Sequence, residues 1–173
     1  MTLLALPLAG PRLRLRFHAE RDRVAFVALV TDPRFYESLT VPEAQRTAAG
    51  AAEVFDTLLT SYDTDEPVFG LTIARVEDDA FVGTVALHPL PFGDALELFY
   101  AVTPERAGDG IATEAVRMLL AALPHRDVVA LTPPENEASK RVALAAGMVD
   151  EGVQQRVGGP ARHRFSRAAA AQG

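Results

Sequence analysis

Cysteine is absent from the 173-residue chain. That excludes a disulfide framework, a thiolate metal site and a cysteine nucleophile, and it fits a cytoplasmic protein. The four histidines, His18, His88, His125 and His163, show no metal-ligand spacing, so no metal is expected. No apolar run approaches the roughly 20 residues of a membrane-spanning helix. The apolar stretch from Met1 to Gly10 lacks a basic lead and is short for a signal peptide, so it reads as the approach to the first strand. Basic residues do not predominate: 17 Lys and Arg stand against 23 Asp and Glu, a net charge of −6. A general basic footprint for nucleic acid is therefore missing, and neither a nucleic-acid nor a membrane partner is expected.

What is present is an ordinary globular composition, 49% hydrophobic and 23% charged, long enough for one domain over residues 1–173. A chain of this size buries roughly 70% of its unfolded surface. The most informative segment is Glu105-Arg106-Ala107-Gly108-Asp109-Gly110-Ile111-Ala112-Thr113-Glu114-Ala115. It follows the apolar run Leu96 to Val102 and opens a helical pattern reaching about Leu123. Strand, glycine turn and helix in that order aim unpaired backbone N–H groups at an anion, and a pyrophosphate is the natural occupant. Gly108 and Gly110 permit positive φ and place no Cβ between backbone and ligand. A plain strand–helix turn has the same glycines, so the loop alone leaves both readings open.

Along the chain, Arg12 to Phe17 alternates polar and apolar residues and predicts a strand. Glu20 to Val30 has helical spacing and meets a stop at Asp32-Pro33. A second helix is expected from Pro42 through Leu59, with Gly50 weakening its continuity. Val68 to Val76 and Phe81 to Leu87, joined by Glu77-Asp78-Asp79, predict an antiparallel hairpin. After the proline-rich loop His88 to Asp94 come a strand at Ala95 to Val102, the glycine turn and its helix. A strand at Asp127 to Leu131 and a helix at Glu135 to Ala146 follow, the latter ended by Gly147. Strands at Met148 to Val157 and Ala161 to Ser166 close the pattern, and residues 167–173 read as a frayed tail.

This order resembles the GNAT superfamily of N-acetyltransferases, in the RimJ/RimL-like branch. The resemblance rests on Pro11 to Arg16 with Asp32-Pro33, on Val82-Gly83-Thr84-Val85-Ala86-Leu87, on Glu97-Leu98-Phe99-Tyr100, on Gly108 to Ala115, and on Asn136 to Val142 with Ala146-Gly147-Met148. It spans about Arg12 to Ser166. It implies an α/β (mixed α+β) GNAT-like fold, with a mostly antiparallel, splayed sheet of about seven strands flanked by about four helices. It also implies acetyl transfer from acetyl-CoA, the co-substrate, to an amine acceptor, and makes a homodimer plausible.

By the same resemblance, Phe99, Ala101 and Val102 flank a wedge for the pantetheine arm. Ala107, Gly108, Asp109, Gly110, Ile111 and Ala112 receive the pyrophosphate. Two residues depart from the family pattern, which usually carries Arg or Gln at the place of Ala107 and a basic residue at that of Asp109; Arg106 stands next door as a substitute cation. Asn136 and Ser139 contact the arm, with Ser139 a proton donor near the sulfur. Glu97 holds the place of a general base. Each has a plainer alternative: Asn136 as a helix cap, and Glu97 as a strand-face carboxylate. Lys140 and Arg141 either meet phosphates or form a solvated face. Phe35 and Tyr36 either wall the acceptor pocket or fill core. Three other functions compete: a longer-chain acyl transferase, a non-catalytic acyl-CoA-binding protein on the same scaffold, and a nucleotide-binding α/β domain. The last predicts a mainly parallel sheet.

Overall fold

The computed structural model describes residues 4–37, 41–64, 69–90, 93–155 and 159–170. Eight strands form one sheet in the order β1-β2-β3-β4-β5-β6-β8-β7. They are β1 (Leu8–Ala9), β2 (Leu13–Phe17), β3 (Phe69–Arg75), β4 (Phe81–Pro89), β5 (Leu96–Val102), β6 (Val128–Thr132), β7 (Val149–Gln154) and β8 (Arg162–Arg167). Every neighbouring pair is antiparallel except β5 and β6. One parallel pair in eight strands removes the nucleotide-binding α/β alternative, whose crossovers need a largely parallel sheet.

Helices cover both faces. On one side lie α1 (Arg23–Val30), α2 (Pro33–Glu37) and α3 (Ala48–Ser61), whose Phe26, Leu29, Phe35 and Phe55 are buried together. On the other, α4 (Ile111–Ala121) and α5 (Glu137–Ala145) pack over the larger core. In α4 the residues Ile111, Ala115, Val116, Leu119 and Leu120 recur at helical spacing and are all buried, so the helical pattern expected after the glycine turn presents this stripe as its packed face. Alternation in β2 likewise buries Leu13 and Leu15 and turns Arg14 and Arg16 to the other face, both half-buried.

Two elements exceed the expected count. Leu8–Ala9 pairs with Arg14–Leu15, turning the apolar approach into an edge strand. Pro33 follows the end of α1 at Val30, where the stop is expected, and also opens α2, because a proline in the first turn forfeits no helical hydrogen bond. The expected helix from Pro42 divides into a 3-10 turn at Glu43–Arg46 and α3, with Thr47 as the cap whose hydroxyl accepts from Gly50 N at 3.1 Å. A Cβ on Gly50 would sit 1.9 Å from the carbonyl oxygen of Ala44, so glycine here permits the turn to abut the helix. The hairpin, β5, α4, β6 and the last helix and strands fall where expected, within a few residues. Val68, Pro91, Phe92, Arg156 and Val157, which those expectations included, lie outside the described residues. The tail is tied down at its start: Ala169 N donates to Asp127 Oδ1 at 2.7 Å and Ala170 N to the Pro124 carbonyl at 2.6 Å.

Beneath α1 a polar cluster is sealed in the smaller core. Asp22, 2% exposed, accepts from Arg16 Nη1 at 2.6 Å, Arg16 Nη2 at 3.0 Å, Ala19 N at 2.9 Å and Thr72 Oγ1 at 2.9 Å. Burial pushes the Asp22 carboxyl up, but the bonds from Arg16, Ala19 and Thr72 outweigh it, and the net direction is down. His18 contacts Thr72 Oγ1 through Nδ1 at 2.6 Å, and burial lowers its pKa to about 4. This histidine is a structural neutral imidazole of the core.

Candidate active site

The site follows from where β5 and β6 part. Their ladder consists of Leu96↔Val128, Glu97↔Val129 and Leu98↔Ala130, and it ends there, while β5 continues to Val102 against β4. Leu96 N donates toward β6, to the Asp127 carbonyl, at 2.9 Å. Strand alternation therefore turns the N–H groups of Tyr100 and Val102 to the same side, beyond the last β6 partner. The divergence opens a cleft of about 560 Å³ bounded by β5, the glycine loop, the start of α4, α5 and the end of α1 with α2.

At one end of the cleft the chain turns through Gly108 at φ 91° and Gly110 at φ 76° into α4. A Cβ on Gly108 would meet nothing within 4 Å; what requires glycine is the backbone conformation. The first intrahelical bond runs from Glu114 N to the Gly110 carbonyl, so the N–H groups of Ile111, Ala112 and Thr113 lack helical acceptors. All three residues line the cleft, as do Ala107, Gly108 and Gly110.

The loop is held from far away in sequence. Arg12 Nε donates to Glu114 Oε2 at 2.7 Å, and Arg12 Nη1 reaches the Asp109 carbonyl at 3.3 Å. No local spacing signals this clamp, since its partners are about a hundred residues apart; the alternating strand containing Arg12 was the only sign that it is ordered. Asp109 itself is half exposed and lies in a separate hollow on the outer side of the loop, not in the main cleft. Its carboxylate pairs with Arg106 at 3.7 Å. Asp109 keeps its backbone place in the glycine loop between Gly108 and Gly110, while its side chain lines the outer hollow.

On the opposite wall, Asn136 Oδ1 accepts from Ser139 N at 3.0 Å, so Asn136 caps α5 while also lining the cleft. Tyr100 Oη donates to the Ser139 carbonyl at 2.8 Å and lies 2.9 Å from Ser139 Oγ. Burial raises the Tyr100 pKa against the opposing bond from Ser139. Tyr100 belongs to the Glu97-Leu98-Phe99-Tyr100 motif, which signals no contact with Ser139; its position two residues beyond the ladder is what brings it there. Lys140 is occupied: its Nζ donates to the Pro134 carbonyl at 2.7 Å and pairs with Glu137. Arg141 lines the cleft and is exposed.

Ala101 and Val102 line the cleft as expected, whereas Phe99 and Glu97 do not. Phe99 packs edge-on against Phe35 with ring centroids 5.9 Å apart, and Phe35 is buried beside the cleft. Glu97 pairs across the sheet with His88, two residues before Phe99 on the same face, in the part of β5 still joined to β6. The only carboxylate among the described lining residues is Asp32, which accepts from Arg34 N at 2.8 Å, Arg34 Nε at 2.9 Å and Arg34 Nη2 at 2.6 Å. Those bonds hold the Asp32 carboxyl below the usual range.

A mixed sheet parted beside a glycine-led helix N-terminus, with Tyr100 and Ser139 lining the gap, forms a cleft suited to an extended anionic ligand. The chain belongs to the GNAT acetyltransferase family, whose domain, described as "Acetyltransferase (GNAT) domain", matches residues 12–149. No curated protein matches it in sequence. Solved structures share its fold. An acetyltransferase of the GNAT family from Bacillus anthracis superposes with a TM-score of 0.77 at 18% identity, covering 94% of this chain and 98% of that one. RimJ from Mycobacterium smegmatis, in complex with CoA-disulfide, gives 0.69 at 22% identity over 92% of this chain and 86% of that one. A ribosomal-protein-S5-alanine acetyltransferase from Vibrio fischeri gives 0.70 at 20% identity over 95% and 97%. Among the described residues, no helix is long and apolar enough to cross a membrane.

Proposed function

We propose that this chain, as a RimJ/RimL-like member of its family, transfers the acetyl group of acetyl-CoA directly to a primary amine. The observation that carries the reading is the end of the β5–β6 ladder at Leu98↔Ala130, which opens the cleft between the glycine-led start of α4 and the Ser139 hydroxyl. A pyrophosphate suits the first place, where three first-turn N–H groups and a helix dipole follow a loop with no side chain at Gly108 or Gly110. An extended arm suits the wedge, where the N–H groups of Tyr100 and Val102 stand as donors for a thioester oxygen. Bound acetyl-CoA supplies the acyl group as a thioester whose thiolate is the leaving group.

The acceptor side favours a weakly basic amine. Asp32 is occupied by Arg34 and held acidic, and Glu97 stands outside the cleft, so neither makes a strong case as a base. An α-amino group, with a pKa of about 7.7–8.0, sheds its proton to water far more readily than an alkylamine near 10.4. A protein or peptide N-terminus therefore fits better than a lysine-like amine, and a small molecule bearing an α-amino group fits equally well.

The test is thermal unfolding with acetyl-CoA, CoA and ATP, followed by thiol release with α-amino and alkyl acceptors. Donor at a hundred times its Kd adds about 2.7 kcal/mol to stability, which for a chain of this size is roughly 5–11 °C in Tm. No CoA-selective shift refutes the reading. A shift without thiol release from any amine assigns the chain to the second reading, acyl-CoA binding without turnover, which the outward carboxylate of Asp109 beside the loop favours.

A further inference from the structure

We infer that Tyr100 is the proton reservoir of the reaction, acting through Ser139: its phenol re-protonates the Ser139 hydroxyl as that hydroxyl gives its proton to the departing sulfur. The inference rests on the acetyl-transfer reading above and adds a role for a residue that nothing else on β5 duplicates.

The geometry restricts how the two hydroxyl protons lie. Tyr100 Oη has one hydrogen and two neighbours, the Ser139 carbonyl at 2.8 Å and Ser139 Oγ at 2.9 Å. When the phenol donates to the carbonyl, the contact with Oγ is satisfied only if Ser139 donates to Tyr100. When the phenol turns to Oγ, the Ser139 hydrogen is released toward the cleft, which both residues line. A small rotation of the phenolic hydrogen thus switches Ser139 between a closed and a donating state. No backbone movement is needed, because Asn136 fixes the start of α5 by accepting from Ser139 N at 3.0 Å.

Acid strength decides which hydroxyl is the source. An aliphatic alcohol is a far weaker acid than a thiol, so Ser139 alone cannot yield its proton to a thiolate without an alkoxide of much higher energy. A phenol, near 10, lies within about two units of a thiol near 8.5. Burial moves Tyr100 somewhat further up, which keeps it protonated through neutral pH. In the step itself, the amine nitrogen bonds to the acyl carbon and the C–S bond breaks with its electron pair going to sulfur. The proton on Ser139 Oγ passes to sulfur, and the proton on Tyr100 Oη passes to Ser139 Oγ. The resulting phenolate recovers a proton from water, and the proton shed by the amine goes to water, so the products are the amide and the free thiol. Tyr100 is in this sense a positioning and relay residue, with Ser139 the group beside the sulfur.

The test compares wild type, Y100F and wild type containing 3-fluorotyrosine, whose phenol is more acidic at almost unchanged size. The chain has three tyrosines, so Y36F and Y62F in the fluorinated background assign any effect to position 100. Thiol release is followed from pH 6 to 10.5, and acetyl-CoA-induced stabilisation reports donor binding independently. The expected result is a 10²-fold or greater loss of kcat in Y100F with KM for acetyl-CoA within about twofold, as for loss of an acid catalyst. The alkaline fall in kcat should be absent from Y100F and move to lower pH on fluorination, an outcome that packing alone does not produce. Should Y100F fail to fold, the fluorinated enzyme still decides the matter. Wild-type kcat in Y100F, or an alkaline limb that fluorination leaves in place, overturns the inference while leaving the acetyltransferase reading intact. A wild type that stabilises with acetyl-CoA yet acetylates nothing removes both.

Discussion

Gly83→Ala is the substitution that most directly tests whether the parting of the sheet creates the donor site. Gly83 lies on β4 opposite Val102, where β5 has already left β6. A Cβ at this position would stand 2.4 Å from the Ala101 carbonyl oxygen and 3.0 Å from Val102 Cα. Both neighbours are backbone, so no rotamer change relieves the clash. β5 must lift off β4 by at least about 0.6 Å over Ala101 and Val102, at an overpacking cost of about 1–3 kcal/mol. In a chain of this length that is a fall in Tm of roughly 2–12 °C. The displaced residues are those whose N–H groups and side chains border the cleft, so acetyl-CoA affinity should fall about tenfold or more. Scanning fluorimetry gives the first quantity and calorimetric titration the second. An alanine variant with wild-type Tm and wild-type affinity would refute the claim that the close β4–β5 approach sets the wedge. A destabilised variant with undiminished affinity would separate the glycine from the donor site.

Other expectations follow from the same structure. Asp109→Lys removes an outward carboxylate near the start of α4 and frees Arg106, and acetyl-CoA affinity should rise roughly two- to fivefold at low salt, fading in 1 M salt. Asn136→Ala deletes the cap that holds Ser139 N and should cost about 1 kcal/mol of stability, with Asn136→Asp restoring most of it; unchanged Tm would dismiss the cap. His18 is neutral in the fold down to a pKa of about 4, against 6.5 for the free side chain. The unfolded chain therefore binds this proton first as pH falls. Stability is full above about pH 6.5 and declines by up to about 3 kcal/mol toward pH 4. His18→Asn should flatten that part of the Tm–pH curve, and an unaltered slope would place the acid sensitivity elsewhere.

Much of the fold was legible because its signals are local. The α4 stripe, the hairpin around Glu77-Asp78-Asp79 and the turn through Gly108 and Gly110 each follow from periodicity or from what a single backbone position tolerates. The unexpected elements arise where a signal has two meanings: the stop at Asp32-Pro33 follows α1 as expected but Pro33 also begins α2, and Leu8–Ala9 becomes a strand only because β2 offers it an edge. For the site, the loop residues, Ala101, Val102, Asn136 and Ser139 come together as expected, while Glu97, Phe99 and the Asp109 side chain do not line the cleft. Placing Glu97 required knowing the residue at which β5 leaves β6. The Arg12 clamp and the Tyr100–Ser139 contact were illegible for a related reason, since each joins segments whose proximity is a product of the whole sheet.

The short ladder between β5 and β6 also divides the molecule mechanically. Five strands lie on one side of it and three on the other, and within the sheet only three residue pairs join them. A molecule seated in the gap and bonded to both walls would act as a splint across this seam. Its arrival should then slow amide exchange at Tyr100 and Val102, and also along β6 and β8, which it need not touch. Occupancy of the cleft would in that way be registered as stiffness of the whole sheet.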